Sequence, residues 1–117
     1  IFLLYPLKLL SHCKFPKIDH HLEFVVFRTQ NMWTFILLDS YNGRLWQVQY
    51  STQDLDNLFC IPINKYELVS DNEKCIFSIQ PLTSMYQYYL INDNTGDMWK
   101  FQWSTKGDDY RWIEKFK

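Results

Sequence analysis

The chain repeats itself once, at an offset of 53 residues that brings Gly43 onto Gly96. Residues 24–52 align with residues 77–105 without a gap, and eight positions are identical, including Trp46 with Trp99. A period near 50 residues is typical of four-stranded β units, which bury their apolar faces by stacking on one another. The sequence therefore predicts two copies of one β unit.

Length and charge limit what the chain can be. Its 117 residues are 47% hydrophobic and suffice for one domain with one core. Twelve Lys and Arg residues balance 13 Asp and Glu residues, so no field of one sign is available to hold nucleic acid. The apolar residues 1–10 are too short to span a bilayer. We expect a single domain that binds no nucleic acid, has no membrane span and uses no cofactor.

Alternation with period two predicts the strands inside each unit. Trp46, Val48 and Tyr50 alternate with polar residues, as do their counterparts in the second copy, so one face is expected to be apolar and the other wet. The continuous apolar runs 34–39 and 87–92 predict central strands. Four further runs complete two four-stranded antiparallel meanders: 22–28, 58–63, 74–80 and 111–116.

These runs set the expected organisation of an all-β domain. Residues 1–21 form an extra N-terminal strand and linker, residues 22–68 the first repeat, and residues 74–117 the second. Helix content is expected to be low. Two units cannot close a propeller, so the chain either packs its sheets as a sandwich or barrel or completes a ring by self-association.

Each repeat has a turn signal between its second and third strands. The segments SYNG at 40–43 and NDNTG at 92–96 supply Asn and Gly, and we expect Gly43 and Gly96 to take the left-handed conformation. The longer segments LLDSYNGRLW and LINDNTGDMWKF resemble the blade motif of quinoprotein-type (pyrroloquinoline-quinone) β-propellers. The resemblance implies blade-like units of strand, Asx-type turn and strand, with the Trp docking between blades or sheets. It implies no quinone site here.

Aromatic residues are the feature that favours binding. In the predicted register Trp33, Tyr50, Tyr86 and Trp103 lie toward the same end of the sheets, beside polar residues. Exposed rings of this kind stack on sugars or anchor a protein partner. The alternative is that they form the core and the contact between the repeats. Tyr41, Tyr110 and Trp112 lie in or near turns, where a core role explains them less well.

No constellation in the sequence predicts catalysis or a metal site. The adjacent His20 and His21 point to opposite faces of a strand, so with His12 and Cys13 they match no usual zinc pattern. The acidic pairs of the two repeats, Asp54 with Asp56 and Asp108 with Asp109, are interpreted as solvated loops. No nucleophile elbow occurs. Cys13, Cys60 and Cys75 form no CxxC pair and are interpreted as small buried hydrophobes.

The sequence therefore predicts a noncatalytic β-repeat binding module. Its expected partner is another protein or its own copies. The alternative is a carbohydrate-binding module in which the aromatic rings hold a saccharide.

Overall fold

The computed structural model describes residues 24–50, 58–69 and 76–117. Eight strands occupy them: β1 Phe24–Arg28, β2 Thr34–Asp39, β3 Leu45–Gln49, β4 Phe59–Pro62, β5 Phe77–Pro81, β6 Gln87–Asn92, β7 Met98–Gln102 and β8 Trp112–Lys115. The helical structure in these ranges is one 3₁₀ turn at Asp108–Tyr110. The prediction of an all-β chain is therefore confirmed. The expected N-terminal strand lies outside the described residues.

The eight strands form two antiparallel meanders, ordered β1-β2-β3-β4 and β5-β6-β7-β8. Each strand of the second sheet begins 53 residues after its counterpart in the first, and the registers agree as well. Trp46 lies opposite Pro62 in the first sheet, and Trp99 lies opposite Lys115 in the second. The two-repeat prediction is therefore confirmed down to the pairing of individual residues.

The two sheets stack with their equivalent faces pointing the same way. Ile36, Leu38 and Leu45 of the first sheet join one core cluster with Leu90 and Phe101 of the second. The counterparts of those two second-sheet residues, at positions 37 and 48, lie on the opposite face of the first sheet, in a separate cluster with Phe35 and Trp46. One face of each unit is thus built to receive the other face of the next unit. The two sheets stack face to face and do not close into a ring or barrel.

Every residue of β2 is buried, as expected for a central strand. The expected division of β3 into an apolar face and a wet face is wrong, because Gln47 on the predicted wet face has no exposed surface. The reason is that the second sheet covers that face. In the second sheet the alternation holds, and the residues of β6 alternate between half-buried and buried, although a fully buried central strand was expected there.

The turns between β2 and β3 and between β6 and β7 are built alike. Gly43 and Gly96 have φ of 77° and 80°, which confirms both as the left-handed residues. Each glycine amide donates to the carbonyl that begins its turn, Gly43 to Asp39 at 2.9 Å and Gly96 to Asn92 at 2.8 Å. Their surroundings differ. A Cβ on Gly43 would lie 2.9 Å from Cε1 of Phe77, whereas a Cβ on Gly96 meets nothing within 4 Å.

This difference makes the two glycines a matched pair for mutation. Gly96→Ala is expected to cost about 1–2 kcal/mol of unfolding free energy, because a side chain is strained at positive φ. Gly43→Ala is expected to cost about 1–3 kcal/mol more, because the methyl group also overlaps the ring of Phe77. Urea denaturation of both variants measures the difference. Equal losses would contradict the close packing of Phe77 on the first turn.

Candidate interaction surface

The four residues predicted to bind form two aromatic pairs, one in each repeat. The rings of Trp33 and Tyr50 meet edge to face at a centroid distance of 5.5 Å. Those of Tyr86 and Trp103 lie 4.7 Å apart. Each pair is fixed by one backbone hydrogen bond, in which Tyr50 N donates to Trp33 O at 3.0 Å and Trp103 N donates to Tyr86 O at 3.1 Å. The structure thus brings the predicted residues together within each repeat.

The members of these pairs differ in their access to solvent. Trp103 is fully buried, and its Nε1 donates to the carbonyl of Met85 at 3.0 Å. Tyr86 is 38% exposed, while Trp33 and Tyr50 are half-buried. Tyr86 is therefore the ring of its pair that a ligand can contact, and Trp103 supports it from behind. A binding role for the four residues stays a prediction.

Tyr86 also lines an open cleft of about 230 Å³ beside the end of β7. Tyr110, which is 51% exposed, lines the same cleft, and the ammonium of Lys106 lies 5.7 Å from its ring centroid. The other lining residues are mostly polar: Ser84, Gln102, Trp103, Ser104, Thr105 and Lys106. From the sequence, Tyr110 was noted only as a residue near a turn that a role in the core explains poorly. Its meeting with Tyr86 depends on how the loop after β7 folds.

The face of the second sheet that points away from the first sheet is called here the outer face. It carries Tyr89, Ile91, Met98, Lys100, Trp112, Glu114 and Phe116. Phe116 is 47% exposed, Glu114 is exposed, and the other five are half-buried. Aromatic residues and Met are enriched where proteins bind one another. Of these residues, only Trp112 could be singled out from the sequence, because the outer face can be recognised only once it is known which face of each sheet is covered.

A buried polar group joins the two sheets. The side chain of Gln47 donates from Nε2 to the carbonyl of Ser104 at 2.9 Å, and its Oε1 accepts from the Ser104 amide at 3.1 Å. The same Oε1 accepts from Nε of Arg111 at 2.8 Å. Buried polar groups cost free energy unless they are bonded in this way. The group therefore fixes the alignment of the two sheets and offers no open site.

The acidic loop of the second repeat is engaged in an ion pair. Lys65 of the first repeat donates to Asp108 at 2.9 Å, and that hydrogen bond lowers the pKa of Asp108 below its usual value. Asp109 is exposed. The counterparts Asp54 and Asp56 lie outside the described residues. The contact links the two repeats at the surface.

The described residues contain no group of three or more His, Cys, Asp or Glu side chains that could hold a metal ion. His12, Cys13, His20 and His21 lie outside them. Within the same ranges, no helix has the length and apolar character needed to cross a membrane. Cys60 is half-buried and disulfide-bonded, so its interpretation as a small buried hydrophobe is wrong. The other two cysteines lie outside the described residues.

Asp39 is the buried carboxyl group that begins the first turn. Desolvation raises its pKa above the usual 3.8, although the amide of Tyr41 donates to its Oδ1 at 3.1 Å. The second repeat has Asn92 at the equivalent position, also buried, and its Oδ1 accepts from the amide of Asn94 at 3.0 Å. The second repeat thus builds the same turn without a charge.

Asp39→Asn is therefore expected to stabilise the protein by up to about 1 kcal/mol near neutral pH. Because folding raises the pKa of Asp39, the stability gained by its protonated form is present below pH 3.8 and is lost as the pH rises through the folded pKa. The advantage of the Asn variant should therefore shrink as the pH falls toward 3.8. Urea denaturation at several pH values tests this, with Asn92→Asp as the reverse change that should destabilise at neutral pH.

Comparison of the chain with protein-family models, with curated proteins and with solved structures gives no match. The fold defines the chain as an all-β protein of two tandem four-stranded repeats. The surfaces of the chain itself therefore carry the evidence for its function.

Proposed function

We propose that this chain is a noncatalytic β-repeat module that binds proteins, copies of itself among them, through the outer face of its second sheet. One observation carries the proposal. Tyr89, Ile91 and Met98 occupy the repeat positions at which the first sheet has Ile36, Leu38 and Leu45. The first-sheet residues are fully buried by the second sheet, whereas their counterparts are only half-buried.

The chemistry of the outer face supports protein binding. Trp112, Phe116 and Met98 supply apolar area, and Lys100 and Glu114 lie opposite each other on β7 and β8. Mixed faces of this kind resemble the interfaces of non-obligate complexes, which are about as polar as the rest of a protein surface.

Carbohydrate binding is the second candidate function, and the cleft beside Tyr86 favours it. A cleft of about 230 Å³ that has two exposed tyrosine rings and hydroxyl groups from Ser84, Ser104 and Thr105 suits a single sugar ring. The rings would stack on the apolar face of the sugar. The hydroxyl groups would bond its polar edge.

A binding assay with matched variants tests the main proposal. The immobilised wild-type chain is exposed to the proteins of its native source beside the double variant Trp112→Ser/Phe116→Ser and the control Tyr66→Ser. Tyr66 is 57% exposed and lies off the outer face, in the loop after β4, so the control removes an exposed aromatic ring elsewhere. At least one protein is expected on the wild type and the control but not on the double variant.

The opposite results are equally clear. A set of bound proteins that is the same for all three chains would contradict a role for the outer face. Saccharide titrations followed by tryptophan fluorescence test the second function. A saturable shift that Tyr86→Ala and Tyr110→Ala abolish, without any protein dependent on the outer face, would replace the main proposal with the carbohydrate one.

A further inference from the structure

The face of the first sheet that points away from the second sheet is called here the far face. Its apolar cluster consists of four side chains, each at most 4% exposed: Phe35, Leu37, Trp46 and Val48. The apolar side chains that the described ranges pack against this cluster come from the same sheet or from the ends of its strands: Phe24, Tyr50, Leu58 and Cys60. Side chains within one layer leave each other's outward surface in water, so a further layer of the chain must cover the far face.

Three stretches of the chain lie outside the described ranges, and they differ in chemistry. Residues 51–57, STQDLDN, and residues 70–75, SDNEKC, are short and mostly polar. The stretch before β1 is longer and begins with the apolar run IFLLYPLKLL at residues 1–10. Because an apolar cluster is stabilised by apolar cover, this chemistry selects the stretch before β1.

Cys60 supplies a covalent link to the same face. It lies opposite Val48, which in turn lies opposite Phe35, so the Cys60 side chain points to the far face beside the cluster. Cys60 is disulfide-bonded, and the chain offers it two partners, Cys13 and Cys75. Cys13 belongs to the stretch before β1, whereas Cys75 stands just before β5 in the sequence.

Chain reach decides between these two partners. The amide of Phe77 donates to the carbonyl of Ser40 at 2.7 Å, and the Phe77 ring packs in the cluster between the sheets, on the side away from Cys60. Ser40 and Cys60 are separated by two strand spacings and by five residues along the strands, which together give about 19 Å. Two residues of extended chain and one disulfide span only about 14 Å. Cys75, two residues before Phe77, therefore does not reach Cys60 around the sheet.

We propose that Cys13 is the disulfide partner of Cys60 and that this bond holds the stretch before β1 over the far face of the first sheet. Reach is ample, because eleven residues of chain lead from Cys13 to Phe24 and can span about 36 Å. Phe24 begins β1 on this same face, and its ring centroid lies 6.2 Å from that of Trp46. The stretch thus joins the sheet on the side that it covers.

Formation of the bond is an oxidation of two thiols. The Sγ atoms of Cys13 and Cys60 become joined, and the two protons and two electrons that they lose reduce a disulfide donor to its two thiols. A crosslink between positions so far apart in the sequence stabilises the fold mainly by restricting the unfolded chain. This inference does not depend on the proposed function, because it concerns the opposite end of the stack of two sheets.

Peptide mapping without reductant identifies the partner of Cys60 directly. The full chain is produced under oxidising conditions, its free thiols are alkylated, and trypsin then separates the three cysteines into residues 9–14, 45–65 and 75–100. We expect mass spectrometry to find 9–14 joined to 45–65, with Cys75 alkylated. A link between 45–65 and 75–100, or alkylation of all three cysteines, would overturn the proposal.

Matched serine variants test the cover. Cys13→Ser and Cys60→Ser should each lower the melting temperature by about 10 °C or more. The double variant should lower it no further than Cys60→Ser, because both changes remove the same bond. Cys75→Ser is the control and should leave the melting temperature unchanged. Cys13→Ser should also raise several-fold the fluorescence of a dye that binds exposed apolar surface, because the far face loses its anchored cover.

The opposite results have defined consequences. Equal effects of Cys75→Ser and Cys13→Ser would overturn the pairing. A Cys13–Cys60 bond whose removal leaves the dye fluorescence unchanged would overturn the placement of the stretch over the far face. Binding through Trp112 and Phe116 should persist in Cys13→Ser, so failure of this inference and failure of the proposed function are distinguishable.

Discussion

Phe101→Ala is expected to lower the free energy of unfolding by about 3–5 kcal/mol, the largest effect of a single truncation that we foresee. The ring of Phe101 has no exposed surface and stacks on Tyr88 at a centroid distance of 5.5 Å. It lies in the cluster that both sheets share, so its loss leaves a cavity between them. Urea or thermal denaturation at low protein concentration measures the change.

Phe116→Ala is the matched control for this prediction. It removes the same side chain from the same sheet, but Phe116 is 47% exposed and its truncation opens no cavity. A loss below about 1 kcal/mol is expected. Similar losses for the two variants would show that the cluster between the sheets is not the main core.

Gln47→Leu is expected to cost about 3 kcal/mol, although the leucine is more apolar and of similar size. The substitution leaves the amide of Ser104 without its side-chain partner, removes one of the two donors to the Ser104 carbonyl, and removes the acceptor of the Arg111 Nε. Unpaired buried groups cost about 1–3 kcal/mol each, and a buried cation costs more. The free energy of unfolding from urea denaturation measures the loss.

A double-mutant cycle separates this polar group from simple packing. Gln47→Leu/Arg111→Leu should be less destabilised than the sum of the two single variants, by more than about 1 kcal/mol, because the double variant no longer holds a buried guanidinium whose Nε lacks its acceptor. Gln87→Leu is the control. Its side chain is only half-buried and donates to Gln102 at 2.9 Å, so a small change is expected. Additive effects at positions 47 and 111 would contradict direct coupling between them.

Local sequence was sufficient to predict most of the fold. The run 34–39 was predicted as a strand and is β2 with the same bounds, and the run 87–92 is β6. Strand periodicity and turn chemistry act over a few residues, so they can be recognised in the sequence. Gly43 and Gly96 were found in the same way, because a tight turn between two strands needs positive φ at one position.

The candidate site was predictable only in part. The pairing of Trp33 with Tyr50 and of Tyr86 with Trp103 follows from the strand register. The exposure of these four rings does not follow from the register: Trp103 is fully buried, whereas Tyr86 is accessible. The outer face, with Trp112 at one end of β8, was not recognised as a surface. Which of two apolar faces remains uncovered depends on residues more than 50 positions away.

The sequence by itself determined a duplicated four-stranded unit, because alternation, turn residues and the 53-residue offset are properties of short segments and their repetition. Only the tertiary structure decided how the units face each other. Gln47 and Lys100 occupy the same place in the two repeats, yet the first is buried in the contact between the sheets and the second lies on the outer face. When two like units stack with their equivalent faces pointing the same way, the contact buries a given face in one unit. The equivalent face of the other unit stays uncovered by the stack.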